Sequence, residues 1–293
     1  MSNQKEIRAR ISSTISTQQI TKAMKLVSAT KLRKASDAIV RMRPYALKLQ
    51  GIMSNLQESV DDDRLAVYFE QREVRKVCLV VISSDRGLCG AFNANVAKRT
   101  RHLLENDYKE LVKKDAVEII CIGKKAGETL KRLGYKINTE YQNLLLDLNA
   151  EKSFNFTETL IQRFKAGEMD KIEVVFNQFK NAATQILTNE SVLPISAEKS
   201  DNKSSSGDYL FEPSKVVILE DLIPRSLKTQ VYRAMLDSLA SEHGARMVAM
   251  DKATENAGEL LGALRLAYNQ ARQAAITREI SEIVGGVAAL EGA

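Results

Sequence analysis

The residues with the most chemical potential lie in one short run, Ser83-Ser84-Asp85-Arg86-Gly87-Leu88-Cys89-Gly90. It follows an apolar stretch over 77–82, and α/β proteins place ligands where a parallel strand gives way to its loop. Two chemistries could use such a run, a phosphate cradle or a nucleophilic thiol. A cradle wants G-x-G-x-x-G or a terminal Gly-Lys-Ser/Thr, and neither is present. A nucleophilic Cys89 wants a base, and the chain has two histidines, His102 and His243. The plainer reading is a tight strand-to-helix turn in which Gly87 and Gly90 relieve backbone sterics. The other cysteines are Cys78 and Cys121, and the spacing of the three fits neither a zinc site nor a disulfide framework. Cysteine usage therefore points to a reducing compartment.

A second group is basic: Lys22, Lys25, Lys31, Arg33 and Lys34. It reads as a solvated helix face or as a contact for acidic protein loops. Aromatic residues do not interleave with it, which weakens single-strand nucleic-acid binding, and no DNA-reading motif appears. Met24 reads as seam packing, and Arg272 with Gln273 as a solvated pair. The C-terminal stretch Ile280, Ile283, Val284, Val287 is apolar where a frayed end is usually polar, so it reads as an insert for a partner's apolar socket.

The elements that position these groups follow from the distribution of breakers. Residues 2–50 contain no glycine and Pro44 as their one proline; residues 225–293 contain no proline. Apolar residues at Ile7, Ile11, Ile20, Met24, Val27, Ala35, Ala38, Met42, Leu49, Ile52 and Leu56 step by three and four and give a long N-terminal helix with one buried seam. The phase slips across 14–19, which predicts a local change of supercoil there. About 55 such residues would span ~80 Å. The seam continues past Pro44, so the proline reads as a mild kink. Asp61-Asp62-Asp63 reads as a break. Strands are predicted over 77–82, 116–122, 172–176 and 185–195, with helices over 91–106, 124–133 and 154–165 between them, an order that gives a mainly parallel, Rossmann-like sheet. Residues 200–207 are polar and loop-like. A last long helix carries Leu227, Val231, Met235, Leu239, Met247, Met250, Leu260, Leu261 and Leu264, followed by small alanines that permit close approach. Two long helices at opposite ends of one chain pair most simply as an antiparallel coiled coil. The domains are then 1–60, 74–198, a loop and foot at 199–212, and 213–293, a rod carrying an α/β head.

Bulk numbers agree. The 293 residues suffice for about two domains. Aromatics are 5% and Trp is absent, so aliphatic residues must fill the core. The charge of +6 permits nucleic acid, anionic lipid or an acidic protein as partner without choosing among them. No apolar run has membrane-spanning length, and the first residues lack an apolar signal core.

The runs Ile20-Thr21-Lys22-Ala23-Met24, Ser84–Gly90, Ala245-Arg246-Met247-Val248-Ala249-Met250, Tyr268-Asn269-Gln270-Ala271-Arg272-Gln273-Ala274-Ala275-Ile276-Thr277 and Glu279-Ile280-Ser281-Glu282-Ile283-Val284-Gly285-Gly286 resemble the signatures of the gamma subunit of F-type ATP synthase. The resemblance covers essentially the whole chain. It implies a central rotor shaft that turns with an ion-driven c ring inside a hexamer of alpha and beta subunits, beside epsilon, one copy per complex, attached to the membrane through those partners. Catalysis would belong to the beta subunits, this chain holding no catalytic residue, cofactor or metal and binding no nucleic acid. Its place would be the cytoplasmic face of a bacterial inner membrane. By matching motif, Lys22, Met24, Lys25, Arg272, Gln273 and Thr277 would face beta, Ile280, Ile283, Val284 and Val287 would sit in an apolar bearing, and Tyr209 with Glu212 would form the foot on the c ring. The chloroplast form's inserted cysteine pair has no counterpart after Asn189, which implies no thiol regulation of that type.

Two other readings stay open on the residues alone. One is a nucleic-acid-binding coiled coil; the other is a nucleotide or acyl-transfer enzyme that uses Cys89.

Overall fold

The computed structural model describes residues 4–57, 63–195 and 214–291. They fall into two compact units, one of residues 28–246 and one of residues 1–27 with 247–293. Helix α1 (Gln4–Gln57) and helix α7 (Lys215–Glu291) each contribute a segment to both.

In the unit 28–246, four strands form one sheet: β1 (Val77–Ile82), β2 (Val117–Ile122), β3 (Lys171–Phe179) and β4 (Gln185–Leu193), in the order β2-β1-β3-β4. β1 is parallel to β2 and to β3, and β4 runs antiparallel to β3. All six residues of β1 are buried, as expected for a central strand covered on both faces. Alternate residues feed two cores. Cys78, Val80 and Ile82 pack with Leu65 and Tyr68 of α2 (Asp63–Phe69), Phe156, Leu160 and Phe164 of α6 (Ala150–Lys165), and Leu227 and Val231 of α7. Val77, Leu79 and Val81 pack with Val96 of α3 (Phe92–His102), Leu103 and Leu104 of the π-helical turn that follows it, and Leu130 of α5 (Lys124–Arg132). A short α4 (Lys109–Lys113) leads into β2.

Two elements depart from the sequence reading. α2 lies where only a break was expected; it is one short amphipathic piece, and the burial of Leu65 and Tyr68 in the sheet's core stabilises what propensity alone would not. α6 starts at Ala150, four residues before the expected start, because the Asn149 side chain accepts a hydrogen bond from the Lys152 amide at 2.8 Å and caps it. In the same unit Ala35 and Ile39 of α1 pack on Leu236 and Ala240 of α7. α1 continues through Pro44, and Leu49 beyond it is buried.

In the other unit, α1 and α7 pair antiparallel. Lys25 reaches Asp251, the Thr21 and Thr254 hydroxyls lie 2.8 Å apart, and Gln18 donates to the Thr254 carbonyl at 3.4 Å. The seam follows the expected apolar spacing at Ile7, Ile11 and Met24 and departs from it at two positions. Ile20 and Val27 are exposed, at 59% and 58%. Over residues 5–27 the buried and half-buried positions are Ile7, Ile11, Thr14, Ile15, Gln18, Thr21, Met24 and Lys25, a repeat of steps of four and three with Ile15 and Met24 beside it. No phase slip occurs. The hydroxyls of Thr14, Ser16 and Thr17 bond back to the carbonyls of Arg10, Ser12 and Ser13, so the Ser/Thr-rich stretch stays helical. α7 answers with the same spacing at Met250, Thr254, Ala257, Leu261, Leu264, Tyr268, Ala271 and Ala275. Gly258 lies at the polar layer, where a Cβ would stand 3.2 Å from the Gln18 side-chain nitrogen and would make that side chain give by a few tenths of an ångström.

Candidate partner surface and the closed crevice

The loop after β1 sits at the C-terminal end of a strand whose neighbours β2 and β3 lie on opposite sides, where an α/β sheet opens a ligand crevice. Here the chain's own groups fill it. The Ser84 carbonyl and the Ser83 hydroxyl accept from the Lys125 and Ala126 amides, which uses up donors at the start of α5. Asn93 accepts from the Ser84 amide and donates to the Ser84 hydroxyl and, at 3.2 Å, to the Cys89 sulfur. From α7, the Arg246 guanidinium donates to the Arg86 carbonyl at 3.0 Å, the Gly87 carbonyl at 3.3 Å and the Glu242 carboxylate at 2.7 Å. Glu242, His243 and Arg246 are all buried.

The electrostatics fit a structural lock. Burial pushes the Cys89 thiol up, and hydrogen bonds from Ser84 and Asn93 only partly oppose it. Burial likewise raises the Asp85 carboxyl against the pull of Lys124 and Arg86, and raises Glu242 against Arg246. Burial, with the charges of Arg246 and Lys31, holds His243 down at about 4. Cys89 is thus a buried thiol whose hydrogen-bond partners are Ser84, Asn93 and the Arg86 carbonyl, and no histidine is among them. His102 is exposed on α3 and His243 is engaged with Arg246. The thiol lacks the low pKa and the base that nucleophilic chemistry requires. Gly123, facing the loop, has φ of +85°, and a Cβ there would stand within hard-core distance of the Ser83 carbonyl oxygen. Among the described residues no group of three or more His, Cys, Asp or Glu side chains is arranged to hold a metal.

The exposed surface is more informative. In the helical unit Lys22 is exposed, Met24 half-buried, and Lys25 paired with Asp251 with 38% of its side chain exposed. Arg272, Gln273 and Thr277 are exposed, with the Thr277 hydroxyl bonded back to the Gln273 carbonyl at 3.0 Å. From Ile276 to Val287 every residue of α7 is exposed, and Ile276, Ile280, Ile283, Val284 and Val287 line one side of the helix. With Thr21 opposite Thr254 and one residue gained per residue, Gln4, the first described residue of α1, comes opposite Ala271, and the exposed stripe of α7 lies beyond it. Sequence reasoning missed Ile20, Leu26 and Val27 as surface residues; all three are exposed. The four-three spacing anchored at Ile7 and Ile11 was the available signal, once Thr and Gln are admitted as seam residues. Tyr209 and Glu212 lie outside the described residues.

Among the described residues, no helix is long and apolar enough to cross a membrane. The family model described as ATP synthase matches residues 3–290. The chain is 50% identical to an ATP synthase gamma chain of Cytophaga hutchinsonii, covering 99% of each, and 52% identical to one of Christiangramia forsetii, covering 100% of each. Among solved structures, a chain of the Euglena gracilis mitochondrial ATP synthase OSCP/F1/c-ring assembly aligns with a TM-score of 0.67 at 25% identity, covering 98% of this chain and 94% of that one. A chain of the Tetrahymena thermophila mitochondrial ATP synthase central stalk and c ring aligns with a TM-score of 0.56 at 23% identity, covering 80% and 99%, a likeness of fold. A helical pair with its polar seam, an α/β unit whose crevice is closed, and relatives at half identity over their full length converge on one conclusion: the chain belongs to the ATP synthase gamma-chain family.

Proposed function

We propose that this chain is the central-stalk rotor subunit that couples rotation of an ion-driven c ring to the conformational cycle of catalytic beta subunits, in either direction. As a gamma chain it is a non-catalytic subunit. Catalysis then lies on beta, and the chain works at the cytoplasmic face of a bacterial inner membrane, held there by the alpha and beta hexamer, epsilon and the c ring.

The observation that carries the reading is the emergence of α7 from its two-stranded partner as a single helix with an exposed apolar stripe from Ile276 to Val287. Such a stripe needs a socket to leave water. In the rotor, Ile280, Ile283, Val284 and Val287 turn in the apolar bearing of the collar. Arg272, Gln273 and Thr277 meet a beta loop below it, Lys22, Met24 and Lys25 meet the acidic lever region of beta, and Tyr209 with Glu212 stand on the c ring. Contacts that must break within each turn have to be individually weak, and exposed ion pairs worth about 0–1 kcal/mol suit that need. Lys25 already exchanges solvent for Asp251 and would hand that pairing to a passing carboxylate. Coupling comes from the different contacts the lopsided shaft makes with each beta state.

ATP-driven proton pumping in inverted membrane vesicles tests this. Lys22→Ala should lower pumping mildly, by less than about twofold, in line with one exposed contact. Removing α7 from Ile276 onward should weaken the coupling of hydrolysis to pumping far more. Abolition of pumping by Lys22→Ala alone, with the complex intact, would refute the many-weak-contacts mechanism.

A further inference from the structure

We propose that the outer face of the α3–α5 layer is a docking surface for anionic phospholipid headgroups, an activity that goes beyond the rotor reading. Residues 98–136 carry eight lysines and three arginines against six acids, a net +5 out of the chain's +6. The layer is two-sided. Val96, Leu103, Leu104, Tyr108, Ala126 and Leu130 face the sheet, so the charged residues project away from it.

Local stability does not account for this charge. Cations at the ends of α3 and α5 complement the helix dipole, as Arg101, Lys131 and Arg132 do. Lys124 opposes the dipole, standing at the start of α5, whose first turn holds no acid, and its nearest local account is the pull on Asp85 after β1. Four of the cations have a surface carboxylate, in the pairs Arg101–Glu105, Lys113–Glu110, Lys125–Glu128 and Lys136–Asp115. Lys98, Lys109, Lys114, Lys124 and Lys131 are exposed and, among the described residues, have no carboxylate within ion-pair distance.

The composition selects the partner. Protein interfaces are depleted in lysine and anchored by aromatic residues and arginine. This face has lysine over arginine by eight to three, and its two tyrosines are turned inward, Tyr108 buried and Tyr135 half-buried. Without exposed rings it offers no stacking platform for single-stranded nucleic acid. Lysines dispersed over an open face act as point charges and match a fluid anionic surface, whose headgroups move to meet them. Leu133, 49% exposed beside Lys131 and Arg132, supplies an apolar contact at the same edge.

The test is flotation of the full chain with vesicles of phosphatidylcholine and phosphatidylglycerol (3:1) and with phosphatidylcholine alone, at low and high salt. Binding should require phosphatidylglycerol and fall with salt. Each lysine near such a surface contributes about fivefold in partitioning, so K98Q/K109Q/K114Q/K131Q together should weaken it by on the order of several hundredfold. A charge-matched control on α1, R33Q/K34Q/R41Q/K48Q, should leave it within about threefold, since those side chains lie outside the layer. Equal losses in the two variants would reduce the effect to net charge and overturn the proposal. So would binding indifferent to phosphatidylglycerol, or layer-dependent binding to polyglutamate or single-stranded RNA with none to the vesicles.

Discussion

Asp237 should destabilise the protein at neutral pH, and its removal should stabilise it. The residue is on α7, 6% exposed, and burial pushes its carboxyl up to about 6 from 3.8. Arg233 and Arg43 pull the other way, Glu190 adds to the rise, and the Phe179 amide donates to the carboxyl, but none of these offsets desolvation. A carboxyl raised in the folded state binds protons more tightly there than in the unfolded chain. Stability is therefore lower above pH 6, and is regained as pH falls from about 6 towards 4. About two pH units correspond to roughly 3 kcal/mol at pH 8, from 1.36 kcal/mol per unit. Asp237→Asn keeps the shape and an acceptor for the Phe179 amide, so at pH 8 it should raise the melting temperature of a domain this size by about 5–10 °C. The advantage should shrink through pH 6 and be nearly gone at pH 4. His243 works against it in the same window: held down at about 4, it stays neutral when folded, so its contribution is lost as pH falls from 6.5 towards 4. The measurement is consequently the difference between variant and wild type, by thermal unfolding followed by circular dichroism from pH 4 to 8. A difference that is flat across this range, or a variant less stable at pH 8, would refute the reasoning.

Arg246→Ala should cost about 3–5 kcal/mol, because it leaves the buried Glu242 carboxylate unpaired and frees the Arg86 and Gly87 carbonyls. Arg246→Lys should recover only part of that, since an ammonium cannot fork to all three acceptors, and thermal unfolding of both variants checks it. Thr21→Val with Thr254→Val should be neutral or stabilising by up to about 1 kcal/mol, because both hydroxyls leave together and valine has the same shape. Loss of antiparallel register in that double variant, read by cysteine cross-linking of positions 25 and 251, would show that the polar layer sets the alignment.

The buried strands were legible because runs of apolar residues between loop signals, six in β1 and four in β2 after Glu118, admit little else, and both strands fall where the pattern put them. The long helices were legible because glycine is absent from residues 2–50 and proline from residues 225–293, and the helical spacing runs on past Pro44. The loop at Asp85 was legible as a turn, but nothing local announced that Arg246, 160 residues away, would close it. The seam of α1 was read wrongly at Ile20 and Val27 because apolar type was taken for burial.

The sequence by itself determined the four strands, the longer helices between them and the long helices at the two ends, though not α2; those follow from backbone sterics and periodicity, which act over a few residues. Only the tertiary structure decided which side of α1 faces α7, that a layer of Gln18, Thr21 and Thr254 lies inside while Ile20, Leu26 and Val27 lie outside, and that the crevice after β1 is filled from within. The physical reason is that burial is a property of the partner surface. A threonine whose hydroxyl finds another hydroxyl across the seam can be buried at little cost, and an isoleucine half a turn away has no facing helix to cover it.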